Sequence, residues 1–296
     1  MPVRSTSRRS EPPRTRPTRT APSRTVQTAR TVVGLLTACH PAPTLAVTAM
    51  ATALGYTAGA RTGWVAAAFL TGQLTTGWTN DWLDRDRDRL SGRADKPVAR
   101  GAVRARVVGA AALTAAVACV PLSLAMGWSA GLAHLVAVAS AATYNLRLKS
   151  SPASFLPYAV SFGLVPSIIT LSAGHGAAPG WATAAGALLG IGAHLVNVLP
   201  DLEDDAATGV RGLPHRLGRG RATVGAAGLL LAATALLGFG PGVPTPLTAA
   251  VMAAAAGVTG VGLLRGLRPG SRAGFLAAMA VALIDVVLLV ARGGAL

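Results

Sequence analysis

The chain has 296 residues, 51% of them hydrophobic and only 13% charged, with a net charge of +16. A soluble domain of this length carries about 25% charged residues, so the balance excludes an ordinary water-soluble protein and points to an all-α integral membrane protein. No aromatic or basic reading surface accompanies the positive charge, which excludes nucleic-acid binding and leaves membrane topology and anionic lipid headgroups as its cause.

Residues 1–29 are rich in Arg, Thr, Pro and Ser and hold one acid, Glu11. They cannot bury a core and are expected to be a disordered basic cytoplasmic tail, with residues 30–296 forming the transmembrane domain. An organelle transit peptide has a similar composition, but Pro12, Pro13, Pro17 and Pro22 break the amphipathic spacing it needs. Nine apolar segments follow: Thr31–Ala53, Trp64–Thr79, Val107–Met126, Ser129–Tyr144, Phe155–Leu171, Ala182–Leu199, Ala222–Phe239, Pro246–Leu264 and Ala273–Val290. With the N-terminus inside, nine spans put all of the 27 Lys and Arg except Arg61 and Arg292 on the cytoplasmic side. Pro41 and Pro43 are expected to kink the first span or delay its start, and His40 beside them reads first as a polar residue at the membrane edge, with a ligand role as the alternative. Cys39 and Cys119 fall inside spans with no CxxC spacing, so they read as packing residues.

The second segment ends in Asn80-Asp81-Trp82-Leu83-Asp84-Arg85-Asp86-Arg87-Asp88. Helical steps of three and four put Asp81, Asp84 and Asp88 on one face, with Asn80 beside them and Asp86 off it. Clustered carboxylates repel unless cations occupy them, and hard oxygen ligands suit Mg2+ carrying a phosphate-bearing substrate. Asn197, Asp201 and Asp205 repeat the pattern at steps of four after the sixth segment, so two facing acidic patches suggest a two-metal diphosphate site. Asp204 can join that face, whereas Glu203 points elsewhere. Arg93 and Lys96, in the basic loop after the first patch, are the cations expected to meet a diphosphate. Tyr144 and Lys149 could project toward the same cavity mouth, the alternative being an interfacial aromatic and a topology-setting lysine. Asp285, inside the last span, is either functional, protonated, or bonded to a hydroxyl of a neighbouring helix.

At these positions the sequence resembles the UbiA superfamily of intramembrane prenyltransferases. Its NDxxDxxxD motif matches Asn80, Asp81, Asp84 and Asp88, and its basic-Pro segment matches Arg93, Lys96 and Pro97. The interhelical tyrosine and lysine match Tyr144 and Lys149; DxxxD matches Asp201 and Asp205; the trailing pattern matches Gly209, Arg211, Leu217 and Gly218. The resemblance implies nine transmembrane helices around a central cavity and a Mg2+-dependent enzyme that moves a prenyl group from an isoprenoid diphosphate to a small-molecule or lipid acceptor. It further implies metal binding by Asp81, Asp84, Asp88, Asp201 and Asp205. Arg93, Lys96, Lys149 and Arg211 would assist the leaving diphosphate, and Tyr144, Asn80 and Asn197 would orient donor or acceptor around an allylic carbocation. A location in the cell (inner) membrane with both acidic motifs cytoplasmic follows. The residues leave open a terpene cyclase on the same fold and, from another class, a transporter whose acidic loops bind metal. They name neither the acceptor nor the surface that stabilises the cation.

Overall fold

A computed structural model describes residues 24–92, 96–242, 246–266 and 272–296, the side chains of residues 24, 26, 204, 247 and 266 excepted. Arg93 lies outside the described residues, as does the expected tail through residue 23. Every regular element among the described residues is helical: α1 (Arg24–Ala38), α2 (Pro41–Thr57), α3 (Thr62–Leu90), α4 (Ala105–Leu124), α5 (Trp128–Leu146), α6 (Leu156–Ser172), α7 (Gly180–Val198), α8 (Leu202–Ala207), α9 (Leu213–Phe239), α10 (Pro246–Gly266) and α11 (Ala273–Ala291). Single 3-10 turns occupy Leu148–Ser150, Leu199–Asp201 and Gly293–Ala295.

Proline marks helix starts here more often than breaks. Residues 41, 157 and 214 are prolines in the first turns of α2, α6 and α9, where the missing N–H costs no hydrogen bond. Pro121 and Pro166 lie inside α4 and α6, as membrane helices tolerate. The first apolar segment is broken where its prolines suggested: His40 takes φ 55 and ψ 70, Pro41 begins α2, and α2 leaves α1 at 60°. Helix α1 begins at Arg24, inside the stretch assigned to the tail. A second break falls within α9 at Gly218, whose φ of 75 interrupts the helical path.

Consecutive helices pack side by side, and α11 returns against α2, α7 and α9, closing a ring. Leu54, Val65, Phe69, Ile168, Ile169 and Leu237 fill one buried cluster, while Leu113, Val117, Leu276, Leu283 and Val287 stay exposed, as suits contact with lipid. Counting α1 with α2 and leaving out α8, nine helical units are present among the described residues. By length and apolarity five of the described helices could cross a bilayer, or six with the bent pair. Helix α6 is apolar but shorter; α3 falls short because threonines, glycines, Gln73 and tryptophans dilute even its uncharged residues 62–79, and α5 because it carries His134, Tyr144 and Asn145.

Candidate active site

The acidic end of α3 is a continuation of the helix beyond its apolar part. Asp81, Asp84 and Asp88 are buried, at 1%, 7% and 6% exposure, whereas Asp86 faces outward and pairs with Arg85 and Arg89. Buried carboxylates need cationic partners, and most of the partners come from elsewhere in the sequence. Lys96 Nζ donates to Asp81 Oδ1 at 2.8 Å, and His40 Nε2 lies 3.0 Å from the same oxygen. Asp84 Oδ1 accepts from Lys149 Nζ, and its Oδ2 pairs with Arg87 at 2.7 Å. Asn80 Nδ2 donates to Asp84 Oδ2 and to Asn145 Oδ1, both at 3.2 Å, and Asn145 in turn donates to the Thr76 carbonyl.

Lys149 sits in the 3-10 turn after α5. Burial pushes its ammonium below the usual lysine range, against the pull of Asp84. This turn meets the second acidic loop at Gly212, where a Cβ would stand 2.6 Å from the Lys149 carbonyl and 2.8 Å from Ser154 Oγ. Only a residue without a side chain lets the two loops touch. Ser154 Oγ also accepts the Leu213 N–H at 2.9 Å, which starts α9 from the α5–α6 connection.

The second acidic row begins in the turn Leu199–Asp201 and continues into α8. Asp201 and Asp205 are partly exposed. His215 Nε2 stands 3.8 Å from Asp205 Oδ2, and Glu203, off the row, forms a bidentate pair with Arg219 at 2.7 and 2.8 Å. Tyr144 joins the two rows: the carboxylates of Asp84 and Asp205 both lie within electrostatic reach of its hydroxyl. The Tyr158 hydroxyl lies near the Tyr144 hydroxyl and the exposed Asn197 side chain. The rings of Tyr144, Tyr158 and His194 pack together with centroids 4.7 to 5.6 Å apart, and Phe162 stacks beyond Tyr158. His194 Nε2 is 2.9 Å from Ser154 Oγ. Arg211 is exposed, and its described contact is a backbone carbonyl that accepts from Arg216.

Sequence reasoning thus missed Tyr158, His194, Asn145 and Arg87, and set His40 aside. A tyrosine one turn into an apolar segment, or a histidine one turn before Asn197, carries no spacing signal of its own. Arg87 was hidden among arginines that read as topology.

The donor set is made of carboxylates, which suits a hard divalent cation. Asp81 Oδ2 is fully buried without a hydrogen-bond partner, an oxygen that a cation would satisfy. Among the described residues no three carboxylate, His or Cys groups stand close enough to hold one ion as they are; Lys96, Lys149 and Arg87 neutralise the α3 row instead. The residues fit a metal by their chemistry and by that orphaned oxygen. A separate cavity of about 550 Å3, lined by Gly59, Arg61, Trp128 and Gly174, opens at the other end of the bundle and contains none of these groups.

The model of the UbiA prenyltransferase family matches residues 41–287. The chain belongs to the UbiA prenyltransferase family and is an intramembrane prenyltransferase. Among solved structures, a UbiA homolog from Archaeoglobus fulgidus bound to DMAPP and Mg2+ superposes with a TM-score of 0.68 at 18% identity, over 88% of this chain and 97% of that one. The same homolog bound to GPP and Mg2+ gives 0.67 at 16% identity, covering 87% and 98%. The apo UbiA homolog from Aeropyrum pernix K1 gives 0.64 at 20% identity, covering 84% and 97%. At these identities the likeness concerns the fold. No curated protein matches the chain in sequence.

Proposed function

We propose that this enzyme uses Mg2+ at its acidic end to ionise an isoprenoid diphosphate and transfers the prenyl group to an acceptor. The observation that carries this is the Lys149 turn, whose ammonium bonds Asp84 of the first acidic row while its carbonyl lies against Gly212, just past the second. Asp81, Asp84, Asp88, Asp201 and Asp205 would hold the metal, which when bound supplies Lewis-acid neutralisation of the leaving diphosphate. Lys149 and Lys96, now paired with Asp84 and Asp81, are the cations available to diphosphate oxygens. Arg211 and Arg93 are assigned to the same role on sequence grounds alone. Asn80 fixes the Asp84 carboxylate through its amide, and Asn197 lies beside the Tyr158 hydroxyl. An allylic cation left by departure of the diphosphate needs a wall that excludes water and offers aromatic faces; Tyr144, Tyr158 and Phe162 supply such faces beneath the acids. The excess of Lys and Arg at the acidic end supports a cytoplasmic orientation for it, in the cell membrane, with residues 1–29 as a basic tail and 30–296 as the transferase domain.

The test is purified protein incubated with allylic diphosphates of several chain lengths, with and without acceptor extracts, and product identification by mass. Prenylated acceptor is expected only when donor, acceptor and Mg2+ are all present. Cyclised hydrocarbon formed equally well without acceptor would instead assign a terpene cyclase.

A further inference from the structure

His40 is the one non-glycine residue among those described that has a positive φ. A strained backbone of this kind persists only where its surroundings over-determine it, and such residues gather at functional sites. Its surroundings do so. The Cys39 carbonyl accepts from Thr44 Oγ1 at 2.7 Å, and Trp78 Nε1 donates to the Leu35 carbonyl at 2.9 Å. Gly77 of α3 lies directly under the Cys39 carbonyl, so close that any Cβ there would collide with it. The break between α1 and α2 is therefore seated on α3 one turn before Asp81, and it delivers the imidazole to that carboxylate.

We propose that His40 is a positioning residue of the transferase site: it closes a triangle with Lys96 and Asp81 Oδ1 that holds the Asp81 carboxylate with Oδ2 turned toward the metal. His40 Nε2 lies 3.0 Å from Asp81 Oδ1 and 3.1 Å from Lys96 Nζ, and Lys96 Nζ lies 2.8 Å from Asp81 Oδ1. Nε2 makes one of these bonds at a time: unprotonated it accepts from Lys96, which itself donates to Asp81 Oδ1, and as Nε2–H it donates to Asp81 Oδ1 directly; either tautomer ties the ring to that oxygen. Lys96 and His40 thus act on one oxygen, and the other, buried, has no hydrogen-bond partner. The inference rests on the reading of Asp81 as a metal ligand given above.

Substituting glycine tests it, because glycine keeps the left-handed backbone while deleting the ring. The readouts on full-length protein in detergent are Mn2+ binding by electron paramagnetic resonance without substrate, and turnover of an allylic diphosphate. His40→Gly should weaken Mn2+ binding and lower turnover, each by about tenfold, the usual cost of losing a partner that orients a metal ligand. Imidazole in the buffer should restore part of both, and His40→Gln should lie between His40→Gly and wild type. A His40→Gly protein that binds Mn2+ like wild type overturns the inference. So does one whose loss follows only its melting temperature and is answered neither by imidazole nor by glutamine. Wild-type protein that binds Mn2+ but turns over no diphosphate would sink the functional reading while the metal-binding comparison still decides the role of His40.

Discussion

Asp86 stands two residues from both Asp84 and Asp88, yet it is exposed where they are buried. This split was legible in the sequence, because the helical steps of three and four fix which acids share a face. The partners of the buried acids were not legible: His40 and Lys149 reach Asp81 and Asp84 through a left-handed hinge and a 3-10 turn, neither of which has periodicity to read. Asp84→Asn keeps the shape of the site and removes a charge on which the metal, Lys149 and Arg87 all depend. Turnover should fall by about 100-fold or more while membrane insertion is kept, measured on the same detergent-solubilised preparation. Asp285 answers one of the alternatives its position raised: Thr234 Oγ1 donates to its Oδ1 at 2.6 Å, and its Oδ2 is buried without a partner. Thr234→Val should cost about 1–3 kcal/mol by thermal or denaturant unfolding, since the acid would then lose its one described bond, while Thr234→Ser should be close to neutral.

Among the elements, the apolar segments located the helices and misjudged their ends. The segment ending at Thr79 continues as α3 to Leu90, because helix formation does not stop where hydropathy does. The first five residues of α9, before Gly218, were likewise hidden in a loop rich in glycine and arginine. The contact between the Lys149 turn and Gly212 predicts that Gly212→Ala forces the two loops apart. A loss of about 1–3 kcal/mol in stability is expected, with a fall in turnover larger than a remote alanine substitution of equal cost produces. Helix α8 is tied to α9 by Glu203 and Arg219, and the hydrogen bonds from Arg219 hold the Glu203 carboxyl below its usual range. A carboxylate with a depressed folded value contributes above its ordinary value and loses that contribution as pH falls through the depressed one. Hydrogen-exchange protection of α8 should therefore hold from neutral pH down to about 4.3 and decline below it, whereas Glu203→Gln should lower it throughout.

At the scale of the molecule, composition and charge placement announced a membrane bundle before any element was located. The expectation of nine spans and the five or six helices that satisfy length and apolarity differ for a physical reason. The helices that build the site must carry polar groups into the bundle, and α3 and α5 give up apolar character to do so. Cysteines introduced at Asp86 and at Trp128, both exposed and at opposite ends of the ring, should be labelled by an impermeant maleimide from opposite sides of sealed vesicles. Labelling of both from one side would refute the membrane orientation inferred from the basic residues.

Helix α3 has 29 residues and α6 has 17, or about 43 Å and 26 Å of helix, set against a hydrocarbon layer of about 30 Å. The acidic row sits at the end of the longer rod, past its apolar part. Acyl-chain length thereby becomes a setting for catalysis: in synthetic liposomes the rate should peak at intermediate thickness, falling where thin leaflets strand a hydrocarbon donor in water and where thick ones submerge its phosphates.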